Sequence, residues 1–131
     1  MSQAVWRWVA AEAVYAIHDE QLAEHGGLSG LRDEGLLLSA LARPQQLQAY
    51  GAPEAADLAA SCAVGIARNH PFVDGNKRTA LIVSAGLFLP LNGYQVVADN
   101  RALIRMMLAV ADGSMSKEEL ALWFRTYLQQ F

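Results

Sequence analysis

The feature that constrains the fold most is the segment from Ala80 to Leu89, which is apolar except for Ser84 and Gly86. A helix that is apolar on every side has to be covered by neighbours on every side. The apolar run Thr79–Leu91 around it is too short to span a bilayer, which takes about 20 residues. The sequence therefore predicts a buried central helix in an all-α, bundle-like fold.

Further helices are predicted from the helical spacing of apolar residues and from capping and breaking residues. They are expected over residues 9–24, from just after the cap Asp33 to just before Pro44, from near Pro53 to just before Pro71, from Asp99 or Asn100 through Val110, and from Lys117 to about Gln130. Pro90 is expected to kink or end the central helix, because proline removes a backbone donor. The segment Pro44–Pro53 is predicted to be a loop or to have a loop at its centre, and Tyr94–Val97 to be a short extended segment.

Length and composition exclude several classes of protein. A chain of 131 residues fits one domain, expected to cover residues 1–131, and its 53% hydrophobic content argues against disorder. The net charge of -3 disfavours a generic nucleic-acid binder. Cys62 lies within an apolar helical stripe and is predicted to be a small core residue. Met1–Val9 has no sustained apolar run of the kind found in signal peptides, so a soluble cytoplasmic protein is expected.

The stretch most informative about function runs from His70 to Arg78, with the sequence HPFVDGNKR, and joins the third helix to the central one. It holds a base, a carboxylate, an amide and two cations. Asp74-Gly75-Asn76 is typical of a turn whose successive N–H groups point into one concavity. The first N–H groups of the next helix lack partners within that helix, so the junction predicts a phosphate-binding site.

The charged side chains of this stretch have matching uses. Lys77 and Arg78 put positive charge at a helix N-terminus, where an anionic ligand is expected to compensate it. Asp74 offers a hard oxygen ligand for Mg²⁺ carried in by nucleotide phosphates, and a histidine such as His70 can accept a proton near neutrality. From spacing alone, an ordinary connection between two helices stays open as the alternative. His18 has no evident partner in the sequence and is predicted to lie at the surface or half-buried.

The stretch from His70 to Arg78 resembles the signature of the Fic/Doc superfamily. The Fic branch has the pattern H-P-F-x-[DE]-G-N-G-R-x-x-R, and the Doc (death-on-curing) branch has lysine in place of the second glycine. This chain has Lys77 there, and it has Leu81 where Fic enzymes usually place a second arginine. Both departures indicate the Doc branch. Residues 30–44 and 88–94 also resemble Doc-like proteins, so the likeness covers nearly the whole chain.

The resemblance implies a compact Fic/Doc-type helical bundle with the motif between two central helices. It also implies a role for each motif residue. His70 matches the catalytic base that activates a target hydroxyl, Asp74 matches the Mg²⁺ ligand, and Phe72 matches the buried anchor of the loop. The residues that match the phosphate- and nucleotide-binding nest are Gly75, Asn76, Lys77 and Arg78.

The activity implied by the resemblance is that of a Doc toxin. Such a toxin transfers the γ-phosphate of ATP to a hydroxyl of a target protein, in Doc a threonine of the translation elongation factor EF-Tu, and so arrests translation. A Phd-like antitoxin is the implied partner, since the self-inhibiting [ST]-x-x-x-E-[GN] helix of some Fic proteins is not evident: Ser29 and Glu34 are one residue too far apart. Two alternatives stay open, namely Fic-type transfer of AMP and a catalytically silent partner-binding module. No direct contact with nucleic acid or with a membrane is expected.

Overall fold

The computed structural model describes residues 5–131; residues 1–4, which begin the segment compared with signal peptides, lie outside the described residues. The helices are α1 (Ala11–His25), α2 (Glu34–Ala49), α3 (Ala55–Asn69), α4 (Asn76–Leu81, continued by Ile82–Phe88 and Leu89–Leu91), α5 (Asn100–Asp112) and α6 (Lys117–Tyr127). Two short strands, β1 (Tyr94–Val96) and β2 (Leu128–Gln130), complete the fold. The prediction of a compact, mostly helical fold is confirmed. None of the helices over residues 5–131 has the length and apolarity needed to cross a membrane.

The helix at the centre of the bundle is α3, whereas the sequence predicted this place for α4. From Ala55 to Ala67 every residue of α3 except Asp57 is buried, although the sequence indicated one buried face only. The reason is the small size of its side chains, which lets neighbouring helices approach from all sides. Cys62 is a core residue as predicted, and burial raises the pKa of its thiol to about 12.

The second helix passes through Pro44, so the prediction that it stops before this residue is wrong. Its start is as predicted, since Asp33 Oδ1 accepts a hydrogen bond from the Leu36 N–H at 3.1 Å. Further along, α2 packs so closely on α3 that a Cβ added to Gly65 would lie 3.0 Å from the Ala40 Cβ. Pro44 itself is buried. Close packing of the two helices offsets the backbone hydrogen bond that proline removes.

The loop between α2 and α3 is shorter than predicted, because α2 continues to Ala49 and occupies most of the segment Pro44–Pro53. Helix α3 begins at Ala55, just after its N-cap residue Glu54, and so starts near Pro53 as predicted. The Glu54 N–H donates to Asp57 Oδ2 at 2.8 Å, which closes the first turn of the helix. This local hydrogen bond fixes the helix start two residues beyond the proline.

Helix α4 contains a π-helical segment that the sequence did not indicate. The Ser84 hydroxyl donates to the Ala80 carbonyl at 2.7 Å, the carbonyl that the Ser84 N–H would bind in an α-helix. The N–H of Leu89 reaches five residues back to the Ser84 carbonyl. The Ser84 hydroxyl thus competes for the carbonyl that an α-helical hydrogen bond would use, and the helix has the wider π-helical register at this point. The helix ends at Leu91, one residue after Pro90, in agreement with the prediction for that proline.

The two strands form an antiparallel pair in which Tyr94 lies opposite Gln130 and Val96 opposite Leu128. The predicted extended segment is thus confirmed, but the prediction that the last helix continues to about Gln130 is wrong. Helix α6 ends at Tyr127, because the backbone beyond it pairs with β1 instead of continuing the helix. The pairing is a long-range contact without a local pattern in the sequence.

Candidate active site

The end of α3 presents His70 in an unusual backbone conformation. Its φ is 51° and its ψ 58°, and among residues 5–131 no other residue except glycine has a positive φ. The His70 N–H still donates to the Ile66 carbonyl at 3.3 Å, so the turn of the chain comes directly after the helix ladder. The side chain is exposed. The left-handed conformation thus turns the chain sharply where the imidazole leaves the helix.

The loop that follows is fastened by Phe72 and Asn76. Phe72 is buried, as its predicted role of anchor requires. The Asn76 amide accepts a hydrogen bond from the Phe72 N–H at 3.0 Å and donates one to the Phe72 carbonyl at 2.9 Å. Asn76 Nδ2 also lies 3.5 Å from His70 Nδ1, at the long limit of a hydrogen bond. The side chain of Asn76 therefore holds the loop and contacts the imidazole of His70. The group of Asn76 that is left to bind a phosphate is its backbone N–H.

His18 is buried beneath the loop, so the prediction of a surface or half-buried histidine without a partner is wrong. Its ring stacks on the ring of Phe72 with centroids 3.8 Å apart, and its Nε2 lies 2.8 Å from the backbone carbonyl of Asp74. The sequence did not reveal this contact, because the partner is a backbone atom 56 positions further along the chain. His18 belongs to the support of the loop.

Asp74 is held by backbone donors from two segments. Its Oδ2 accepts a hydrogen bond from the Leu28 N–H at 3.1 Å and its Oδ1 accepts one from the Gly75 N–H at 2.9 Å. The first of these bonds, followed by the second, lowers the pKa of the Asp74 carboxyl. Gly27, with a φ of +122°, leaves room for the carboxylate, because a Cβ at this position would lie 2.8 Å from Oδ2. Asp74 is thus an ionised, oriented oxygen donor at the surface.

The start of α4 provides free N–H groups and two cations. Gly75 is the N-cap residue and has a φ of 78°, whereas Asn76, Lys77 and Arg78 form the first helical turn. Within the part of the chain that the structure describes, the N–H groups of these three helical residues have no acceptor, and the ladder begins at the Thr79 N–H. Lys77 and Arg78 are exposed. The arrangement is that of an anion-binding helix start.

All of these groups lie around one cavity of about 410 Å³. The motif residues that line it are His70, Val73, Asp74, Gly75, Asn76, Lys77 and Arg78, so the structure brings together every predicted site residue except the buried anchor Phe72. The opposite wall, which the sequence did not predict, consists of Leu81 with Ile104, Met107 and Leu108 from α5. The signal available in the sequence was the helical spacing of Ile104, Met107 and Leu108, which places three apolar side chains on one face of α5. The cavity offers an apolar wall opposite a polar one.

Comparison with known proteins assigns the chain to a family. The model of the Fic/DOC family matches residues 8–88. This chain belongs to the Fic/DOC family. Among its relatives, "Protein kinase doc" of Escherichia phage P1 is 39% identical over 118 residues, which cover 88% of this chain and 90% of that protein. "Toxin Doc" of Mycolicibacterium smegmatis is 49% identical over 77 residues, which cover 56% of this chain and 58% of that protein.

The resemblance to the Doc branch is confirmed, since both of these family members carry the name Doc. The chemical role of each motif residue stays a prediction, as does the extent of the domain over residues 1–131.

Proposed function

We propose that this chain is a Doc-like toxin of a toxin–antitoxin pair that transfers the γ-phosphate of ATP to a serine or threonine hydroxyl of a target protein. The observation that carries the proposal is the single cavity lined by His70, the Asp74 carboxylate, and the cations Lys77 and Arg78. The names of the two relatives, a protein kinase and a toxin, support the same activity. The elongation factor EF-Tu is the proposed target, on the resemblance to Doc alone.

The residues of the cavity can perform this transfer as an in-line displacement. His70 accepts the proton of the target hydroxyl, and the hydroxyl oxygen attacks the γ-phosphorus. A new O–P bond forms while the bond from phosphorus to the β,γ-bridging oxygen breaks, and ADP leaves. The guanidinium of Arg78 and the free N–H groups at the start of α4 stabilise the negative charge on the phosphoryl oxygens.

Asp74 suits the Mg²⁺ that accompanies ATP. Its pKa is lowered mainly by the hydrogen bond from the Leu28 N–H, so the carboxylate is ionised over a wide range of pH. Within residues 5–131 no cluster of three or more His, Cys, Asp or Glu side chains could hold a metal. The ion would therefore take Asp74 from the protein and its remaining oxygen ligands from phosphate and water. When bound, it neutralises charge on the phosphates.

Two features favour γ-phosphate transfer over AMP transfer. Lys77 lies in the first turn of a helix and has no positive φ, so the backbone at this position does not curl as a glycine would allow. Leu81, which occupies the place of the second Fic arginine, is part of the cavity wall and adds no positive charge for a second phosphate. These features support a nucleotide orientation different from that of Fic-type AMP transfer, with the terminal phosphate nearest His70.

The test uses ATP labelled on either the α- or the γ-phosphate, incubated with this protein and purified EF-Tu or a cell extract. Label transferred from the γ position with release of ADP supports the proposal. Transfer from the α position with release of pyrophosphate would mean AMP transfer. A protein that transfers neither label, while it still binds a partner, would be a silent binding module.

A Phd-like antitoxin is the proposed partner, and a cytoplasmic location, which the sequence led us to expect, stays a prediction. The expected mode of binding is an amphipathic segment laid into a groove between helices. Co-expression of the neighbouring small gene product should restore growth and give a complex that co-purifies. Failure of every such product to bind would contradict the toxin–antitoxin role without affecting the test of phosphate transfer.

A further inference from the structure

One residue outside the motif, Arg32, binds three consecutive carbonyl groups at the end of α3. Its Nη2 donates to the Asn69 carbonyl at 2.8 Å and its Nε to the His70 carbonyl at 2.7 Å. Its backbone N–H donates to the Pro71 carbonyl at 2.7 Å. Arg32 therefore spans the backbone on both sides of the imidazole that is proposed as the base.

These bonds occur where the backbone most needs support. The last carbonyls of a helix lack partners within it, and a positive charge is favourable at that end. His70 adopts the left-handed conformation, which a residue with a Cβ rarely takes, and its side chain is too exposed for packing to hold it. The planar guanidinium is suited to bind two neighbouring carbonyls at once.

Arg32 is itself held in place by its neighbours. Leu31 forms an isolated antiparallel bridge with Phe72, and the Val73 N–H donates to the Gly30 carbonyl at 3.0 Å. The short segment before α2 thus pairs with the motif loop. This pairing determines where the Arg32 side chain starts, so its contacts with the end of α3 follow from the fold.

Asn69 adds a second layer of contacts. Its Nδ2 donates to the Leu36 carbonyl at 2.9 Å, and its Oδ1 accepts a hydrogen bond from Arg43 Nη2 at 3.1 Å. The last turn of α3 is therefore tied to α2 by side chains as well as by packing. Arg32 is the member of this network that contacts His70 directly.

We propose that Arg32 is a positioning residue that holds residues 69–71 so that the imidazole of His70 stays at the cavity beside Asn76. It does not line the cavity and acts through the backbone only. The proposal rests on the proposed role of His70 as the base. Nothing in it depends on which phosphate is transferred.

The chain offers a matched control at the other end of the same helix. Arg125 also makes two side-chain bonds, from Nε to Glu54 Oε1 and from Nη2 to Asp57 Oδ1, both at 3.0 Å. Arg125→Gln therefore removes a comparable arginine from α3 at the end opposite His70. Comparison of Arg32→Gln with this variant separates a general loss of helix stability from a loss of positioning.

The kinetic experiment compares kcat and KM for ATP in both variants and in Arg32→Lys. For Arg32→Gln we expect kcat to fall roughly 10-fold to 100-fold, the effect of a misplaced catalytic group, while KM for ATP stays near the wild-type value. Arg32→Lys should lie in between, because an ammonium group lacks the planar fork that spans two carbonyls. Arg125→Gln should keep the wild-type kcat.

The second readout is independent of activity. An NMR cross-peak between ring protons of His70 and the side-chain amide protons of Asn76 should be present in the wild type and in Arg125→Gln, and lost in Arg32→Gln. An Arg32→Gln variant with wild-type kcat and an unchanged cross-peak would overturn the proposal, even if its melting temperature fell. If the wild-type protein transfers no phosphate, the proposed function fails, and the cross-peak alone decides whether Arg32 positions His70.

Discussion

The two ends of α3 are each bound by an arginine, but they are built for different purposes. At the N-terminal end, Arg125 pairs with the carboxylates of Glu54 and Asp57, and Asp57 also accepts the Glu54 N–H. At the C-terminal end, Arg32 donates to backbone carbonyls. The imidazole of His70 extends from the helix there, and among residues 5–131 no carboxylate is bound to it.

The difference shows how one helix can combine stability with reactivity. At its start the side-chain charges are satisfied by one another, so these groups close the helix and are not available for chemistry. At its end the arginine satisfies the backbone, so the imidazole is left exposed at the cavity. We therefore expect substitutions at the C-terminal end to reduce activity and substitutions at the N-terminal end to reduce stability.

The largest expected effect is that of His70→Ala. Loss of the base should reduce phosphate transfer by at least about 100-fold and abolish growth arrest, because general-base catalysis contributes about that much or more. The fold should stay intact, since the side chain is exposed. The measurements are transfer of labelled γ-phosphate and growth on induction, with the exposed His25→Ala as control. Growth arrest by folded His70→Ala would contradict the catalytic assignment.

Asp74→Asn is expected to have the next largest effect. It removes the charge that would hold Mg²⁺ but keeps a side chain that can occupy the turn. Transfer should fall by about 100-fold, with partial recovery at high Mg²⁺ concentration, since even an outer contact of a metal site can be worth about 10- to 100-fold. The control is Asp99→Asn, because Asp99 is the N-cap of α5 and asparagine caps equally well. Metal-independent transfer by the wild type would contradict this role.

The sequence predicted well what depends on neighbours along the chain. The start of α6 at Lys117 was predicted, and it is closed by a capping box of Ser116 and Glu119, three positions apart, with bonds of 3.0 and 3.1 Å. The motif residues gather around one cavity because they are contiguous on a single turn. The supports from His18, Leu28 and Arg32 were not predicted, because each of them binds atoms far along the chain and at least one partner in each pair is a backbone group.

The same distinction explains the misplaced helix ends. Pro44 is a local signal to stop a helix, but α2 continues through it because the helix packs closely on α3, which is a tertiary contact. Leu128–Gln130 is a strand only because β1 lies beside it. Sequence patterns therefore located the elements and the motif, whereas the outcome at these two positions depended on what packs against them.

Asp57→Ala addresses the N-terminal end of α3. It removes the acceptor of the Glu54 N–H and one partner of Arg125, so the free energy of unfolding should fall by about 1 kcal/mol, the usual cost of a lost cap. In a domain of this size that corresponds to a melting temperature about 3 °C lower. The rate of transfer per folded molecule should be unchanged. A loss of kcat without a loss of stability would break the distinction between the two ends.

The smallest expected effect is a pH dependence at the start of α6, which is closed by the same kind of capping box as α3. Glu119 accepts the Ser116 N–H at 3.0 Å, and this hydrogen bond is the main cause that lowers the pKa of the Glu119 carboxyl. A carboxyl whose pKa is lower in the folded state adds stability that is fully present above its unfolded value of about 4.3, and this stability is lost as the pH falls through the folded value. Glu119→Gln should therefore melt at a slightly lower temperature than the wild type at pH 7. The melting temperatures of the two proteins should converge in acid, because the wild-type carboxyl is then protonated and both side chains are neutral. Thermal melts of both proteins at neutral pH and well below the ordinary glutamate value measure this gap, and a gap that widened in acid would show that the capping charge does not stabilise the helix.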